Sequence, residues 1–331
     1  MYFTIYLTTN PSATLIQNKK KRMGKSKVLV VGGTGHMGRR IVTASLAQGH
    51  ITYVLQRPEI GLAIDKLEML LSFKKQGARL IEGSFSDYGS LVEAVKKVDV
   101  VISAMSGEHN HPDSHNLLLQ LKLVEAIKEA GNVKVYISYK NFHSKKKKKK
   151  TIFDDKMIVR KAIEEAKIPF TYISANCFVG YFVGNLSQLI DSLVPPKQKV
   201  FLYGDGNTKV VYMDKDDIAA YTIKTIDDPR ALNKTVFLRP PENILSQRQL
   251  VEIWEKLSGE KLEKVHLSGE DFLASMKDMD FAGQVHVAHF YHIFYEGCLT
   301  NFEIGEGQEE ASELYPEVNY TRMDDYLKRF L

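Results

Sequence analysis

Long apolar runs, cysteine pairs and distributed basic charge are all missing from this chain. Only two cysteines occur in 331 residues, Cys177 and Cys298, and neither has C-x-x-C or metal-ligand spacing. That argues against a disulfide framework and fits a reducing compartment. No apolar stretch reaches the roughly 18 residues that a membrane helix requires, so no membrane partner is expected. Residues 1–22 contain no Asp or Glu and lack the apolar core of a secretory signal. Their Ser and Thr content gives a faint likeness to a plastid transit peptide. The blander reading takes Met23-Gly24-Lys25 as a natural start and 1–24 as a disordered extension of a cytoplasmic protein. The formal net charge is +5, but Lys19–Arg22 supply four positive charges and Lys145–Lys150 supply six. Removing those ten leaves −5 for the remainder. The folded part is thus mildly acidic, which speaks against a nucleic-acid partner, and a six-lysine run reads as a solvated loop.

What is present is a glycine turn between a strand and a helix. Val28–Val31 reads as a short buried strand, and 39–48 as a helix whose core candidates are Ile41, Val42, Ala44 and Leu46. Between them lies Gly32-Gly33-Thr34-Gly35-His36-Met37-Gly38, in which Gly33, Gly35 and Gly38 fit G-x-G-x-x-G. Such a turn leaves backbone N–H groups free at a helix N-terminus, where the helix dipole favours a dinucleotide pyrophosphate. The flanking strand and helix are the context that this motif needs. A second strand, about 52–55, is followed by Gln56-Arg57-Pro58. NAD sites usually place an acidic residue at this point, whereas a basic residue suits the 2′-phosphate of NADP. Arg57 therefore selects NADPH, and Lys66 or Lys74 could add charge.

Strands at about 78–83, 98–104, 133–138 and 170–174 alternate with helices at about 90–97, 117–130 and 153–166. This alternation predicts an α/β Rossmann-type, doubly wound parallel sheet. The turns after 31, 55, 104, 138 and 174 should ring one crevice at the carboxyl ends of the strands. After Phe182 the pattern changes. Short strands at 199–203 and 210–212 flank Gly204-Asp205-Gly206-Asn207, and Ser246–Gln249 has capping-box spacing before a helix through Leu257. The expected organisation is an NADPH-binding domain over 25–180, with an atypical lysine-rich loop at 139–151. A smaller substrate lobe over 181–331 is interleaved with the sheet.

Three patterns could carry chemistry. Lys156 and Arg160 are four apart on an expected helix and share a face, with Glu164 continuing the row. Tyr136 and Lys140 match the Tyr-x-x-x-Lys pair of short-chain dehydrogenases, but Tyr136 lies on an expected strand, where residues four apart are too far separated. His286, His289 and His292 stand three apart without a suitably spaced carboxylate or an H-E-x-x-H signature. A core or pocket-lining role is preferred to a metal site, and aromatic residues around a histidine suit a flat phenolic ligand.

Several stretches resemble the plant NADPH-dependent reductases that include isoflavone reductase, phenylcoumaran benzylic ether reductase and pinoresinol–lariciresinol reductase. These are atypical, NmrA-type short-chain dehydrogenases. The stretches are Thr52–Gly61, Leu71–Ala78, Val101–Gly107 and His289–Cys298, and they are most similar to the pinoresinol–lariciresinol branch. The resemblance covers roughly 25–134 and 152–331. It implies that Lys156 is the catalytic lysine and that Arg160 contacts the nicotinamide cofactor. It also implies that Gly32 to Gly38, Arg57 and Lys66 bind NADP, that His289 contacts substrate, and that the protein is a homodimer. The implied reaction opens the benzylic ether of a lignan by hydride transfer to a quinone methide, taking pinoresinol to lariciresinol and then secoisolariciresinol. An isoflavone or phenylcoumaran substrate is the sibling alternative.

The chain departs from the family in two places. After Lys134 the family runs Arg-Phe-Leu-Pro-Ser-Glu-Phe-Gly beside the nicotinamide, where this chain reads Val135-Tyr136-Ile137-Ser138-Tyr139-Lys140-Asn141-Phe142 and then six lysines. Residues 108–113 look longer than usual. The first departure raises a further alternative, a catalytically impaired NADPH-binding protein.

Overall fold

The structure is a computed structural model, and it describes residues 24–58, 63–105, 116–140, 152–190 and 192–331. The N-terminal extension, the lengthened segment at 108–113 and the lysine run therefore lie outside the described residues.

Eight parallel strands form the central sheet. Six come from the first half of the chain: β1 (Lys27–Val31), β2 (Ile51–Gln56), β3 (Arg79–Glu82), β4 (Val100–Ser103), β5 (Val135–Lys140) and β6 (Phe170–Ser174). Five short strands stand apart: β7 (Cys177–Phe178), β8 (Lys199–Tyr203), β9 (Lys209–Met213) and, after β10 (Lys234–Phe237), β11 (Ile244–Ser246) and β12 (Glu263–Leu267). The last strand is β13 (Gln308–Glu310). Across the main sheet the order is β13-β10-β6-β5-β4-β1-β2-β3, and every pairing within it is parallel. Parallel strands are covered on both faces and so read as continuous apolar runs. Val28–Val31, in which all four residues are buried, is one such run.

The two-residue period of a strand splits its side chains between two cores. Val28, Val30, Ile102 and Ile137 face one core, while Leu29, Val31, Val101 and Tyr136 face the other. Crossover helices cover these faces: α1 (Gly38–Ala47), α2 (Ile64–Lys75), α3 (Tyr88–Val95), α4 (Asn116–Ala130) and α5 (Ile152–Glu165). The helix α2 lies beyond the sequence reading, which left Ile64–Lys75 unassigned. It buries only Leu70 and Phe73, so its apolar periodicity is faint.

In the second half, α6 (Val179–Phe182) leads into the lobe and α7 (Lys215–Lys224) packs on α1. Arg40 and Asp216 form a 3.0 Å ion pair across that contact. The next helix, α8 (Gln247–Ser258), starts with the anticipated capping box between Ser246 and Gln249. It is followed by α9 (Gly269–Ala274) and α10 (Phe281–Phe294). The rings of Phe290 and Phe294 pack with Phe182 and Tyr203. The lobe also returns two strands to the main sheet: β10 pairs with β6 and β13 with β10. Among the described residues no helix is long and apolar enough to cross a membrane.

Candidate active site

The sheet order reverses between β1 and β4, and a doubly wound sheet binds ligands in the crevice at such a point. The turn after β1 lies against the turn after β4. Gly32 has φ +81°, a conformation that side chains rarely adopt, and a Cβ there would sit 3.0 Å from the Ala104 carbonyl. A Cβ on Gly38 would be driven into the Gly32 carbonyl, so the helix can begin this close to the strand only with glycine at that position. No side chain caps Met37, and the first turn of α1 contains no acidic residue. Backbone approach and an uncapped helix start fit the phosphates of a dinucleotide. Arg57 is exposed just beyond the end of β2, and Lys66 is exposed on α2. β2, which Arg57 follows, pairs with β1, and the adenosine ribose of such a cofactor is held near the end of that strand.

Further along the carboxyl edge is a hollow lined by Ser103, Met105, Gln120, Ser138, Tyr139, Lys156, Val159 and Arg160. Four elements build it. Ser103 ends β4, Gln120 comes from α4, Ser138 and Tyr139 from β5, and the last three from α5. Lys156 and Arg160 share a face of α5, as their spacing requires. Arg160 is buried, with its guanidinium 5.1 Å from the centre of the Tyr172 ring and an N–H donating to the Tyr139 carbonyl at 3.4 Å. Burial, and secondarily the positive charge of Arg160, pull the Lys156 ammonium down to about 8. An amine held there is partly neutral near physiological pH and can accept a proton.

The departure at 135–140 is accommodated in the sheet. Val100–Ser103 pair with Val135–Ser138, and Tyr136–Lys140 pair with Phe170–Ser174. Apolar and β-branched residues at 135 and 137 suit this doubly covered strand. Tyr139 reaches across to α7, its hydroxyl 3.1 Å from that of Thr222. Tyr136 lies on β5, which rules out the helical Tyr-x-x-x-Lys arrangement with Lys140. The six lysines that follow lie outside the described residues.

The three histidines of α10 do not converge. His286 is exposed, His289 half-buried, and His292 lies 2.5 Å from Glu296. No group of His, Cys, Asp and Glu suited to a metal ion occurs among the described residues. His289 is on the lobe side of the molecule, one residue before the buried Phe290.

The sequence reading missed Gln120, Ser103 and Tyr139. Gln120 left a signal: Gln120, Leu123, Val124 and Ile127 form one buried face of α4. A lone amide on an apolar stripe needs an explanation, because buried polar groups are costly unless bonded.

The chain matches the NmrA-like family over residues 24–327. It is 68% identical over 316 residues to an isoflavone reductase homolog of Lupinus albus, covering 93% of this chain and 100% of that protein. It is 63% identical over 317 residues to a bifunctional pinoresinol-lariciresinol reductase of Linum perenne, with the same coverage. Its fold is similar to a structure described as AtPrR2 with NADP+ and (+)pinoresinol, with a TM-score of 0.87 and 56% identity over 93% of this chain and 100% of that one. With the glycine turn and the Lys156 hollow inside the matched span, the chain belongs to the NmrA-like family.

Proposed function

We propose that this protein is an NADPH-dependent oxidoreductase that opens the benzylic ether of furofuran and furan lignans, converting pinoresinol to lariciresinol and then secoisolariciresinol. The observation that carries this reading is Lys156, held at about 8 in a hollow at the carboxyl edge of the sheet. The full-length likeness to a reductase structure with NADP+ and pinoresinol supports the substrate class.

The Gly32 to Gly38 turn would hold the pyrophosphate of NADPH, Arg57 and Lys66 its 2′-phosphate, and Arg160 its nicotinamide end. When bound, that cofactor supplies a hydride to the benzylic carbon. Lys156 Nζ takes the proton of the phenol para to that carbon. The phenolate electrons move through the ring and break the benzylic C–O bond, which gives a quinone methide. The released alkoxide takes a proton, and the ring oxygen is again a phenolate once hydride has added. Each cycle consumes one proton from solvent besides the hydride. The hollow contributes by positioning the phenol and excluding water, and His289 would contact the substrate, as the family resemblance implies.

A second reading keeps the chemistry and changes the substrate. The identity to an isoflavone reductase homolog favours it, with an isoflavone or a phenylcoumaran replacing the lignan. The protein is a cytoplasmic homodimer in this proposal, and its two free cysteines support the reducing compartment. Domain limits of 25–180 for the cofactor half and 181–331 for the substrate lobe belong to the same proposal. The test is incubation with NADPH and racemic pinoresinol, followed by chiral chromatography. Lariciresinol or secoisolariciresinol is the expected product. NADPH binding without turnover of pinoresinol, an isoflavone or a phenylcoumaran would establish an impaired cofactor-binding protein instead. Sedimentation velocity tests the dimer.

A further inference from the structure

Behind the Lys156 hollow is a small polar network. Gln120 is 5% exposed, Ser103 4% and Tyr136 0%. The Gln120 side-chain carbonyl accepts the Ser103 hydroxyl at 2.7 Å and the Tyr136 hydroxyl at 2.8 Å. Burial pushes the Tyr136 phenol far above its ordinary range. It therefore stays an O–H donor and must face an acceptor, which fixes the amide of Gln120 with its oxygen toward Tyr136. Two donors occupy the two lone pairs of that oxygen. The amide N–H2 is then the donor end of a side chain that lines the hollow.

Charge narrows the occupant. Among the described residues the lining includes two cations, Lys156 and Arg160, two serine hydroxyls and the Gln120 amide, and no carboxylate. Such a lining suits an oxygen that becomes negative, and a neutral fixed donor beside a cation stabilises that charge without any reorganisation. We propose that Gln120 donates a hydrogen bond to the substrate phenol oxygen and holds it as a phenolate, with Tyr136 and Ser103 as positioning residues that lock its amide. The inference rests on the proposed role of Lys156: the phenol proton moves to Lys156 Nζ, and the negative charge left on oxygen is shared between the lysine ammonium and the Gln120 N–H. No bond to Gln120 forms or breaks.

The test uses the full chain, with 4-nitrophenol as a probe whose bound anion is read by its visible absorbance. Gln120→Leu should lower kcat with pinoresinol about 10²-fold, leave the affinity for NADPH within threefold, and shift ionisation of bound nitrophenol to higher pH. Tyr136→Phe removes one hydroxyl from a fully buried ring and keeps its packing. It should move both readouts in the same direction by a smaller factor. A purely structural role would change melting temperature and leave nitrophenol ionisation in place. Wild-type turnover and wild-type ionisation in Gln120→Leu would overturn the contact. Wild-type values in Tyr136→Phe would overturn the lock, which decides the matter if Gln120→Leu fails to fold. A wild-type protein that ionises nitrophenol through Gln120 but turns over no lignan, isoflavone or phenylcoumaran would defeat the proposed reaction and keep the Gln120 contact. Normal lignan turnover with an inert Gln120 would do the reverse.

Discussion

The glycine turn consists of consecutive residues, Gly32 to Gly38, and presents backbone. The hollow around Lys156 draws side chains from β4, α4, β5 and α5, spread from Ser103 to Arg160. Phosphates are alike in all dinucleotides, so fixed N–H groups at a helix start are enough to bind them. A phenol that must lose its proton needs a base with a shifted pKa and a matched environment, and burial by distant elements provides both. The turn can therefore be recognised from a seven-residue window, while the hollow exists only after folding.

The largest expected effect breaks the hollow and spares the turn. Lys156→Ala should reduce turnover by about 10²- to 10⁴-fold, the usual worth of a positioned base, with NADPH affinity unchanged by fluorescence titration. Equal losses in both would mean that the two regions are not separable. The converse is Arg57→Asp. Losing a charge-assisted bond of about 1.5–3 kcal/mol should weaken NADPH binding roughly 10- to 100-fold, while NADH binding holds or improves and the saturated rate is preserved. Competitive titration of the two cofactors checks this.

The smallest effect sharpens the comparison through pH. Turnover should rise with pH through about 8 as Lys156 loses its proton, because burial and Arg160 hold it below its ordinary range. In Lys156→Arg this limb should disappear. The stability sign follows from linkage. Between about 8 and the ordinary lysine value of 10.5, the unfolded chain holds the proton and the folded one does not, so folding gains with rising pH across that window. Below 8 both states are protonated and the cost of burying the charge is fully present. Melting curves for wild type and Lys156→Met should therefore converge as pH climbs through this range.

The sheet was legible wherever apolar runs alternated with helical spacing. β6 was located to the residue at Phe170–Ser174 and β8 at Lys199–Tyr203. The strands that escaped are short or mixed in character. Gln308–Glu310 is wholly polar and is a strand only because β10 offers it an edge. Lys234–Phe237 is too brief for periodicity to distinguish it from a loop. At the site, the Lys156–Arg160 face followed from helix geometry alone, whereas the assignment of Lys156 as base rested on family likeness. Tyr139 was invisible because its role depends on Thr222, which only the folded chain brings near, and Gln120 showed as a lone amide on an apolar stripe whose partner, Tyr136, the sequence does not name. The unusual run Val135-Tyr136-Ile137 read as damage against the family pattern, yet it forms an ordinary inner strand.

The two strands that the lobe returns to the sheet set a timetable for synthesis. Until β10 leaves the ribosome, the outer edge of β6 carries a row of unpaired N–H and C=O groups, an invitation to pair with another chain. β10 ends at Phe237, so at elongation rates of about 5–20 residues per second that edge closes roughly 3 to 13 s after β6 emerges. The nascent protein is thus sticky beside the strand that carries Ser174 until β10 arrives, and chaperone occupancy during translation should rise there.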